Sequence, residues 1–445
     1  MLSNYLKLAI RVLGRNKFFT AISLFGISFT IALLMILISM MESEVGKTAP
    51  LTDKDKMVIV PTLTESRMFF DTIYAYDTTN YNGEFVIDTS YNLEEAGSNN
   101  SNNPFAHWFL EEHLSDVPNA KNYTFFDATN SFNTYVNNSK VELRTNYTDH
   151  RFWEVFDFEF VDGFGFNEAA VENEELVAVI TDYLADQYFG RVDNVVGELV
   201  EVDGKNYKVI GVIKPPGLLL LTFDIVVPYT HNYLDLQNPN EFGFGGYFAL
   251  YVGDKKSDVK LIKEDIKFIN SRTEVPAGAQ DRFDNIEFQP FAFHEAYAGQ
   301  ILDLDDEEKS LRVMKYVIFA LFGFLILLPT LNLINLNVGR IMERSSEIGV
   351  RKAFGASRTT ILFQFLIENI VQTLIGAIIG LCIALLCIYI INDIRLMGDI
   401  VLKLNYRFFI ICLLISLVFG ILSGLLPAYR MSKMHVVSAL KQNKL

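Results

Sequence analysis

Four long runs of apolar residues divide the chain, one near the start and three at the end. The first, at residues 18–41, holds 24 residues without a charge, and about 20 residues cross the hydrocarbon core of a bilayer as a helix. The run is too long for the apolar part of a signal peptide, and an acidic stretch follows it. The pattern therefore predicts four transmembrane helices, at residues 18–41, 313–338, 359–391 and 408–428.

Between the first two runs, the pattern changes to short alternating segments. Strands are predicted for MVIVPTLT, VAVIT and the two halves of ELVEVDGKNYKVIGVI, and helices for FAHWFLEEHLSDV and DVKLIKEDIKFINSR. The Asp203-Gly204 pair between two alternating runs predicts a β-hairpin. Together these segments predict an α+β extracytoplasmic domain at residues 42–312, inserted between transmembrane helices 1 and 2.

The domain is expected to have two subdomains. A membrane-proximal part would comprise residues 45–150 and 235–295, and an inserted β-rich part residues 151–234. The polar stretch SNNSNNP, at residues 98–104, is interpreted as a solvated loop. A stalk helix at residues 294–315 is expected to run without a break into transmembrane helix 2.

The distribution of charge predicts the orientation of the chain. Residues 42–313 contain 48 Asp and Glu against 21 Lys and Arg, whereas the remainder contains 5 against 17. Because Lys and Arg collect on the cytoplasmic side of short loops, the acidic insert belongs outside. Three basic segments are then cytoplasmic: an amphipathic helix at residues 1–17, the loop 339–358 and the tail 429–445. The short loop 392–407 lies on the outer side.

A few polar or helix-breaking residues interrupt the predicted spans. Pro329 removes a backbone donor and is expected to kink helix 2, while Asn332 and Asn335 share a face near its inner end. Glu368 is an acid within helix 3. The two asparagines either line a substrate path or form contacts between helices, and the second interpretation is favoured because intramembrane amides usually serve as such contacts. For Glu368 a functional role and a structural role facing other helices both stay open.

The sequence contains no recognisable catalytic signature. No GxxxxGK[ST] phosphate loop and no GxSxG motif occur, and the six histidines show no metal-ligand spacing. The acidic run from Asp303 to Glu308 lacks the glycine and glutamate of a calcium loop and suits a helix N-terminus. The excess of carboxylates in the insert excludes nucleic acid as its partner. We therefore expect no enzyme activity, no metal site and no cofactor in this chain.

The stretch ERSSEIGVRKAFGASRTTILFQFLIENIVQTLIGAIIG, at residues 343–380, resembles the signature of the FtsX/MacB-like ABC transporter permeases. The opening YLKLAIRVLGRNKFFTAISLFGI and the tail GLLPAYRMSKMHVVSALK resemble the ends of that family. The outer segment beginning RFWEVFDFEFVDGFGF resembles the MacB-like periplasmic core domain. The resemblance covers nearly the whole chain and is weakest at residues 65–103.

The resemblance implies a permease of the mechanotransmission type, also called type VII. Two copies, or one copy with a related permease, would bind two cytoplasmic ABC ATPase subunits, which hold the ATP and Mg²⁺. Closure of the ATPase dimer would then be transmitted to the outer domains. The implied location is the bacterial inner membrane, with both termini cytoplasmic and the large domain periplasmic.

The family's coupling segment to the ATPase falls on ten residues of the loop 339–358. They are Glu343, Glu347, Ile348, Gly349, Arg351, Lys352, Ala353, Phe354, Gly355 and Ala356. A short helix here would offer apolar side chains to a groove and charged ones to its rim, with Gly355 as its end. Ser357 stands where the N-cap of helix 3 is expected. The alternative is a solvated basic loop.

The sequence and its resemblance are compatible with three functions. The first is export of a peptide, toxin or drug, with or without a periplasmic adaptor and an outer-membrane duct. The second is mechanical regulation of a periplasmic or cell-wall hydrolase, as in FtsX-type members. The third is lipoprotein release. The large insert favours the first and third over the second.

Overall fold

The fold is described from a computed structural model of the chain. The described residues are 11, 13–15, 17–46, 49–81, 84–127, 130–136, 139–215, 221–232, 245–276, 278–302, 304, 306–343, 350–351, 353–355, 357–394, 396 and 400–433. The chain divides into a helical unit, Met1–Glu44 with Arg312–Leu445, and an α+β unit, Val45–Leu311. Most of the predicted helix at residues 1–17 lies outside the described residues.

Ten α-helices are defined within the described residues. They are α1 (Lys17–Val45), α2 (His107–His113), α3 (Phe152–Val155), α4 (Glu168–Glu172), α5 (Asp182–Phe189), α6 (Asp258–Asn270), α7 (Phe293–Leu302), α8 (Glu307–Glu343), α9 (Arg358–Asp393) and α10 (Tyr406–Lys433).

Fourteen β-strands are defined within the same residues. They are β1 (Met57–Val60), β2 (Leu63–Tyr81), β3 (Glu84–Asn103), β4 (Asn122–Asp127), β5 (Asn130–Val136), β6 (Ser139–Thr148), β7 (Phe160–Gly163), β8 (Val177–Thr181), β9 (Leu199–Val202), β10 (Lys205–Ile213), β11 (Ile225–Pro228), β12 (Tyr247–Val252), β13 (Asn285–Phe288) and β14 (Phe291–Ala292).

Eleven of these strands form one mixed sheet in the α+β unit. Its order is β14-β1-β12-β4-β6-β11-β8-β10-β7, with β5 beside β6 and β9 beside β10. The pairs β8–β10 and β6–β11 are parallel, and the other pairs are antiparallel. The predicted hairpin is confirmed, since Asp203 and Gly204 between β9 and β10 both have positive φ, 49° and 73°.

Both faces of this sheet are covered. Along β1, Val58 and Val60 belong to one hydrophobic cluster, while Met57 and Ile59 belong to another. Helices α2, α5 and α6 contribute buried residues to the first cluster, and α3, α4 and α7 to the second. Strands that are buried on both faces explain the uninterrupted apolar runs MVIV, VAVIT and IVVP.

The two predicted subdomains are not separated by a break in the sheet. Strand β6 of the first part pairs with β11 of the second, with Thr145 beside Ile225. Both hydrophobic clusters contain residues of both parts. The division at residues 151 and 234 is therefore corrected to one sheet with a shared core, because each part completes the other's strand pairing.

Strands β2 and β3 form a long antiparallel ribbon, called here the ribbon. Its pairing runs from Leu63 beside Asn103 to Tyr81 beside Glu84. Strand β13 pairs with β2 only across four residues at the base. The prediction of a loop at residues 98–104 was wrong, because the polar residues from 98 to 103 complete the ladder with β2 despite their preference for turns.

The predicted stalk helix is interrupted. Helix α7 ends at Leu302 and α8 begins at Glu307, so residues 294–315 are not one helix. Asp306 caps α8, because its side chain accepts a hydrogen bond from the Lys309 amide at 2.8 Å and its carbonyl accepts from Ser310. Asp303 and Asp305 lie outside the described residues.

Two helices of the described chain are long and apolar enough to cross a membrane. They are Thr20–Glu44 within α1 and Thr359–Asp393 within α9. A shorter apolar stretch, Tyr406–Leu422, lies in α10. Helix α8 includes the predicted second span. The structure describes the backbone of Pro329, Asn332 and Asn335 in this helix but not their side chains.

His107 is buried beneath the sheet and should make the stability of the α+β unit depend on pH. Its ring stacks on Tyr229 with centroids 3.6 Å apart, and its Nε2 lies 4.0 Å from Glu111 Oε1. Burial, assisted by the nearby Arg151 guanidinium, lowers the pKa of His107 to about 3. The unfolded chain, whose histidine has the ordinary pKa, therefore takes up the proton more readily.

The pKa of His107 is lower in the folded protein than in the unfolded chain. Its contribution to the free energy of unfolding is therefore complete above the pKa of the unfolded chain and is lost as the pH falls below it. We expect His107 to cost about 2 kcal/mol of stability between pH 8 and pH 5. Both tryptophans, Trp108 and Trp153, lie in the α+β unit, so their fluorescence reports its unfolding in the full chain. A His107→Gln variant should lack this part of the pH dependence. The same pH slope in both proteins would contradict the assignment.

Candidate functional site

The candidate site begins at the turn that leads into α9. The Phe354 amide donates to the Val350 carbonyl at 3.1 Å, which closes one helical turn. Gly355 follows with φ +89°, a conformation that ends helices and that side chains disfavour. Both the helical turn and its glycine end agree with the sequence-based expectation.

Ser357 caps the N-terminus of α9, as predicted. Its backbone is extended, and its hydroxyl accepts a hydrogen bond from the Thr360 amide at 3.1 Å. The glycine on one side and the cap on the other fix the direction in which the chain leaves the turn.

The turn presents an apolar surface. The Phe354 side chain is 88% exposed, Val350 is 46% exposed, and Ala353 is also exposed. Val350 was not among the predicted coupling residues, although its place on the same turn could have indicated it. An exposed phenylalanine held on a capped turn is suited to entering an apolar groove of another molecule.

Arg351 makes a hydrogen bond within its own chain that the sequence did not predict. The sequence placed it among rim charges, but its Nη1 donates to Gln364 Oε1 of the same chain at 2.5 Å. Gln364 Nε2 in turn donates to Glu368 Oε1 at 2.9 Å. Arg351, Gln364 and Glu368 therefore form one hydrogen-bonded chain, which we call the relay.

The relay leads from the exposed turn into the packed part of the helical unit. Gln364 and Glu368 are buried, and Gln372, one further turn along the same face of α9, is buried too. The link between an arginine and a buried acid through an amide compensates the cost of placing Glu368 in an apolar span. The sequence singled out Glu368 and its polar neighbours but not their connection to Arg351.

Helix α9 packs closely on α1 beyond the relay. A Cβ added to Gly376 would lie 2.7 Å from Ile27 Cγ2, and one added to Gly380 would lie 2.7 Å from the Ser28 carbonyl oxygen. The spacing of the two glycines is the small-xxx-small pattern of helix pairs in membranes. The segment GAIIG carries this signal in the sequence, although it was not among the predicted features.

The other six predicted coupling residues lie, wholly or by their side chains, outside the described part of the chain. Glu343 ends α8, and the structure describes its backbone but not its side chain. The other undescribed residues are Glu347, Ile348, Gly349, Lys352 and Ala356. Within the described residues, no group of three or more His, Cys, Asp or Glu is placed to hold a metal ion.

Two family models match the chain. The MacB-like periplasmic core domain matches residues 20–267, which is more than half of the chain, and the FtsX-like permease C-terminal domain matches residues 319–436. The chain belongs to the FtsX/MacB-like family of ABC transporter permeases. The turn and the relay of this permease both lie inside the FtsX-like match.

Curated relatives of this permease include transporters with and without export in their names. A pyoverdine export ATP-binding/permease protein, PvdT of Pseudomonas fluorescens, is 23% identical over 68% of this chain and 45% of its own length. The ABC transporter permease YknZ of Bacillus subtilis is 26% identical over 69% of this chain and 67% of its own. The macrolide export protein MacB of Bdellovibrio bacteriovorus is 25% identical over 62% and 40%. This permease thus spans less than half the length of two of the three.

Two solved structures resemble parts of this permease. The extracellular domain of YknZ has a TM-score of 0.31 and 16% identity, covering 42% of this chain and 89% of that one. A permease domain from Porphyromonas gingivalis has a TM-score of 0.36 and 14% identity, covering 55% and 92%.

Proposed function

We propose that this permease transmits ATP-driven motion of a separate cytoplasmic ABC ATPase to its α+β unit and thereby exports a substrate across the cell envelope. The observation that carries the proposal is Phe354, an exposed aromatic side chain on a capped turn inside the FtsX-like match. ATP and Mg²⁺ would be bound by the ATPase, in two copies, against a pair of permeases.

In this proposal the helical unit spans the inner membrane four times. Helices α1 and α9 supply the two spans with the strongest apolar character, and α8 and α10 the other two. The turn at Phe354 then lies in the cytoplasm with the basic loop, while the acidic α+β unit lies outside. Force applied at the turn enters α9 directly through its cap and through the relay.

Export is favoured over the regulation of a hydrolase by two observations. The relatives PvdT and MacB carry export in their names. The α+β unit is also large and densely built, with two hydrophobic clusters around one sheet, which suits direct handling of a substrate. A periplasmic adaptor with an outer-membrane duct would fit the same arrangement, and release of a lipoprotein is the second form of export that the size of the unit supports.

The topology can be tested with single cysteines. The native Cys382, Cys387 and Cys412 are first replaced by serine, and cysteine is then placed at the exposed Asn99 or Ala353. We expect a membrane-impermeant maleimide to label the Asn99→Cys variant in intact spheroplasts and the Ala353→Cys variant only in inside-out vesicles. Labelling of both positions from the same side would refute the proposal, because the turn could not reach a cytoplasmic ATPase.

A further inference from the structure

Most of the large exposed apolar residues of the ribbon share one face. Residues that pair across β2 and β3 share a face, and the face alternates with each pair. Tyr74 stands beside Tyr91, and two residues earlier on β2, Thr72 stands beside Leu93. Phe70 and Met68 continue the same face toward the base. We call these five large residues, Met68, Phe70, Tyr74, Tyr91 and Leu93, the apolar ribbon face.

The apolar ribbon face is exposed along its length. The exposed fractions of its five side chains range from 40% at Met68 to 66% at Tyr91. Leu63 and Glu65 at the base are buried and belong to the opposite face, on which Phe69 and Ile73 further along are 44% and 46% exposed. Contiguous exposed apolar residues of this extent are typical of surfaces that bind another molecule.

The outer edge of β3 offers a second element of recognition. Among the described strands, the order of this small sheet is β13-β2-β3, so β3 is an edge strand over its whole length. The amide and carbonyl groups of an edge strand can pair with an added strand, whose alternate side chains then lie along the same face. A long edge beside an apolar face therefore suits an extended polypeptide.

The negative charge of the ribbon favours a basic polypeptide as its partner. Strands β2 and β3 carry seven Asp or Glu residues and a single Arg. Glu94 lies beside Asp71 on the face opposite the apolar ribbon face, and Glu95 lies beside Phe70 on the apolar ribbon face itself. A second copy of the same ribbon would bring like charges together, and an anionic lipid surface would also be repelled. A basic partner is attracted.

We propose that the ribbon docks an extended cationic segment of a partner protein outside the membrane. The segment would add to the edge of β3, place its apolar side chains on the apolar ribbon face and set its alternate Lys or Arg side chains on the opposite face, against Glu94 and Asp71. The inference concerns the ribbon alone and holds whether or not the permease exports a substrate.

The test uses the full-length permease in detergent and a fluorescent synthetic peptide of alternating lysine and valine. We expect the peptide to bind and the double variant Tyr91→Ser/Leu93→Ser to weaken binding by roughly tenfold or more, because two apolar contacts are lost. The matched control is Asn92→Ser, which changes the residue between them on the opposite face and should bind as the wild type does. Tryptophan-monitored unfolding should be the same in all three proteins, because the altered side chains are exposed.

The charge requirement is tested separately. The variant Asp71→Asn/Glu94→Gln should bind the lysine–valine peptide more weakly and with a smaller dependence on salt, because both acids lie on the face that the lysines would occupy. A glutamate–valine peptide should not bind. Equal binding of the two peptides would overturn the cationic assignment.

Other results would overturn the proposal as a whole. No binding of the lysine–valine peptide, or equal binding to the face variant and its control, would exclude the apolar ribbon face as the site. If light scattering showed that Tyr91→Ser/Leu93→Ser converts a permease dimer into monomers, the occupant would be a second copy of this chain. Loss of binding to anionic lipid nanodiscs in the same variant would identify a membrane surface instead.

Discussion

The variant Phe354→Asp is expected to insert normally into the membrane and to lose its ABC ATPase. The ring of Phe354 is almost fully exposed in the chain alone, so its removal costs the permease little stability. In a complex it would be the central apolar anchor, and burying a phenylalanine side chain contributes about 1.5–3 kcal/mol. A carboxylate in the same groove adds a desolvation cost. Association should weaken roughly a hundredfold or more.

The measurement is co-purification of the co-expressed ATPase with the affinity-tagged permease from solubilised membranes. Thr359→Asp provides the matched control, because it adds the same charge to a nearby exposed residue in the first turn of α9, where an acid is tolerated. If Phe354→Asp retains as much ATPase as Thr359→Asp, the turn is not the docking site.

Breaking the relay is expected to leave binding of the ATPase intact and to reduce the ATP hydrolysis that the permease stimulates. Gln364→Leu removes both hydrogen bonds of the amide side chain, to Arg351 and to Glu368. The loss of buried hydrogen bonds costs about 1–3 kcal/mol, while Phe354 remains in place. The ATPase should therefore still co-purify, whereas ATP hydrolysis stimulated by the permease should fall roughly tenfold.

The comparison for this second experiment is Gln372→Leu, the same replacement further along the same buried face of α9. It leaves the hydrogen bonds of Gln364 to Arg351 and Glu368 in place and should reduce stimulated hydrolysis less. If the two leucine variants behave alike, the effect comes from general loss of polarity in the helix. Loss of co-purification in Gln364→Leu would show instead that the relay shapes the docking surface.

Much of the fold could be predicted from local patterns. Strands buried on both faces gave uninterrupted apolar runs, and the Asp203-Gly204 pair could adopt the positive φ angles that a tight hairpin requires. Gly355 and Ser357 were equally informative, since one ends a helical turn and the other caps the next helix. In each case the decisive interaction lies within a few residues along the chain.

The errors arose where distant residues decide the outcome. The asparagine-rich end of β3 is a strand because β2 supplies its hydrogen bonds from more than thirty residues away. The predicted stalk passed through the acidic run that suits a helix N-terminus, and Asp306 in that run caps a new helix. The direction of the Arg351 side chain depends on Gln364 in the next helix, which spacing alone does not reveal.

The contact between α1 and α9 limits where a solute could permeate this chain. At Gly380 the backbone of α1 is so near that even a methyl group would meet the Ser28 oxygen at 2.7 Å, and a hydrated molecule is far larger. Helices α1 and α9 therefore leave no space between them at this level. Under the proposed export function, a substrate would therefore not pass between these two helices.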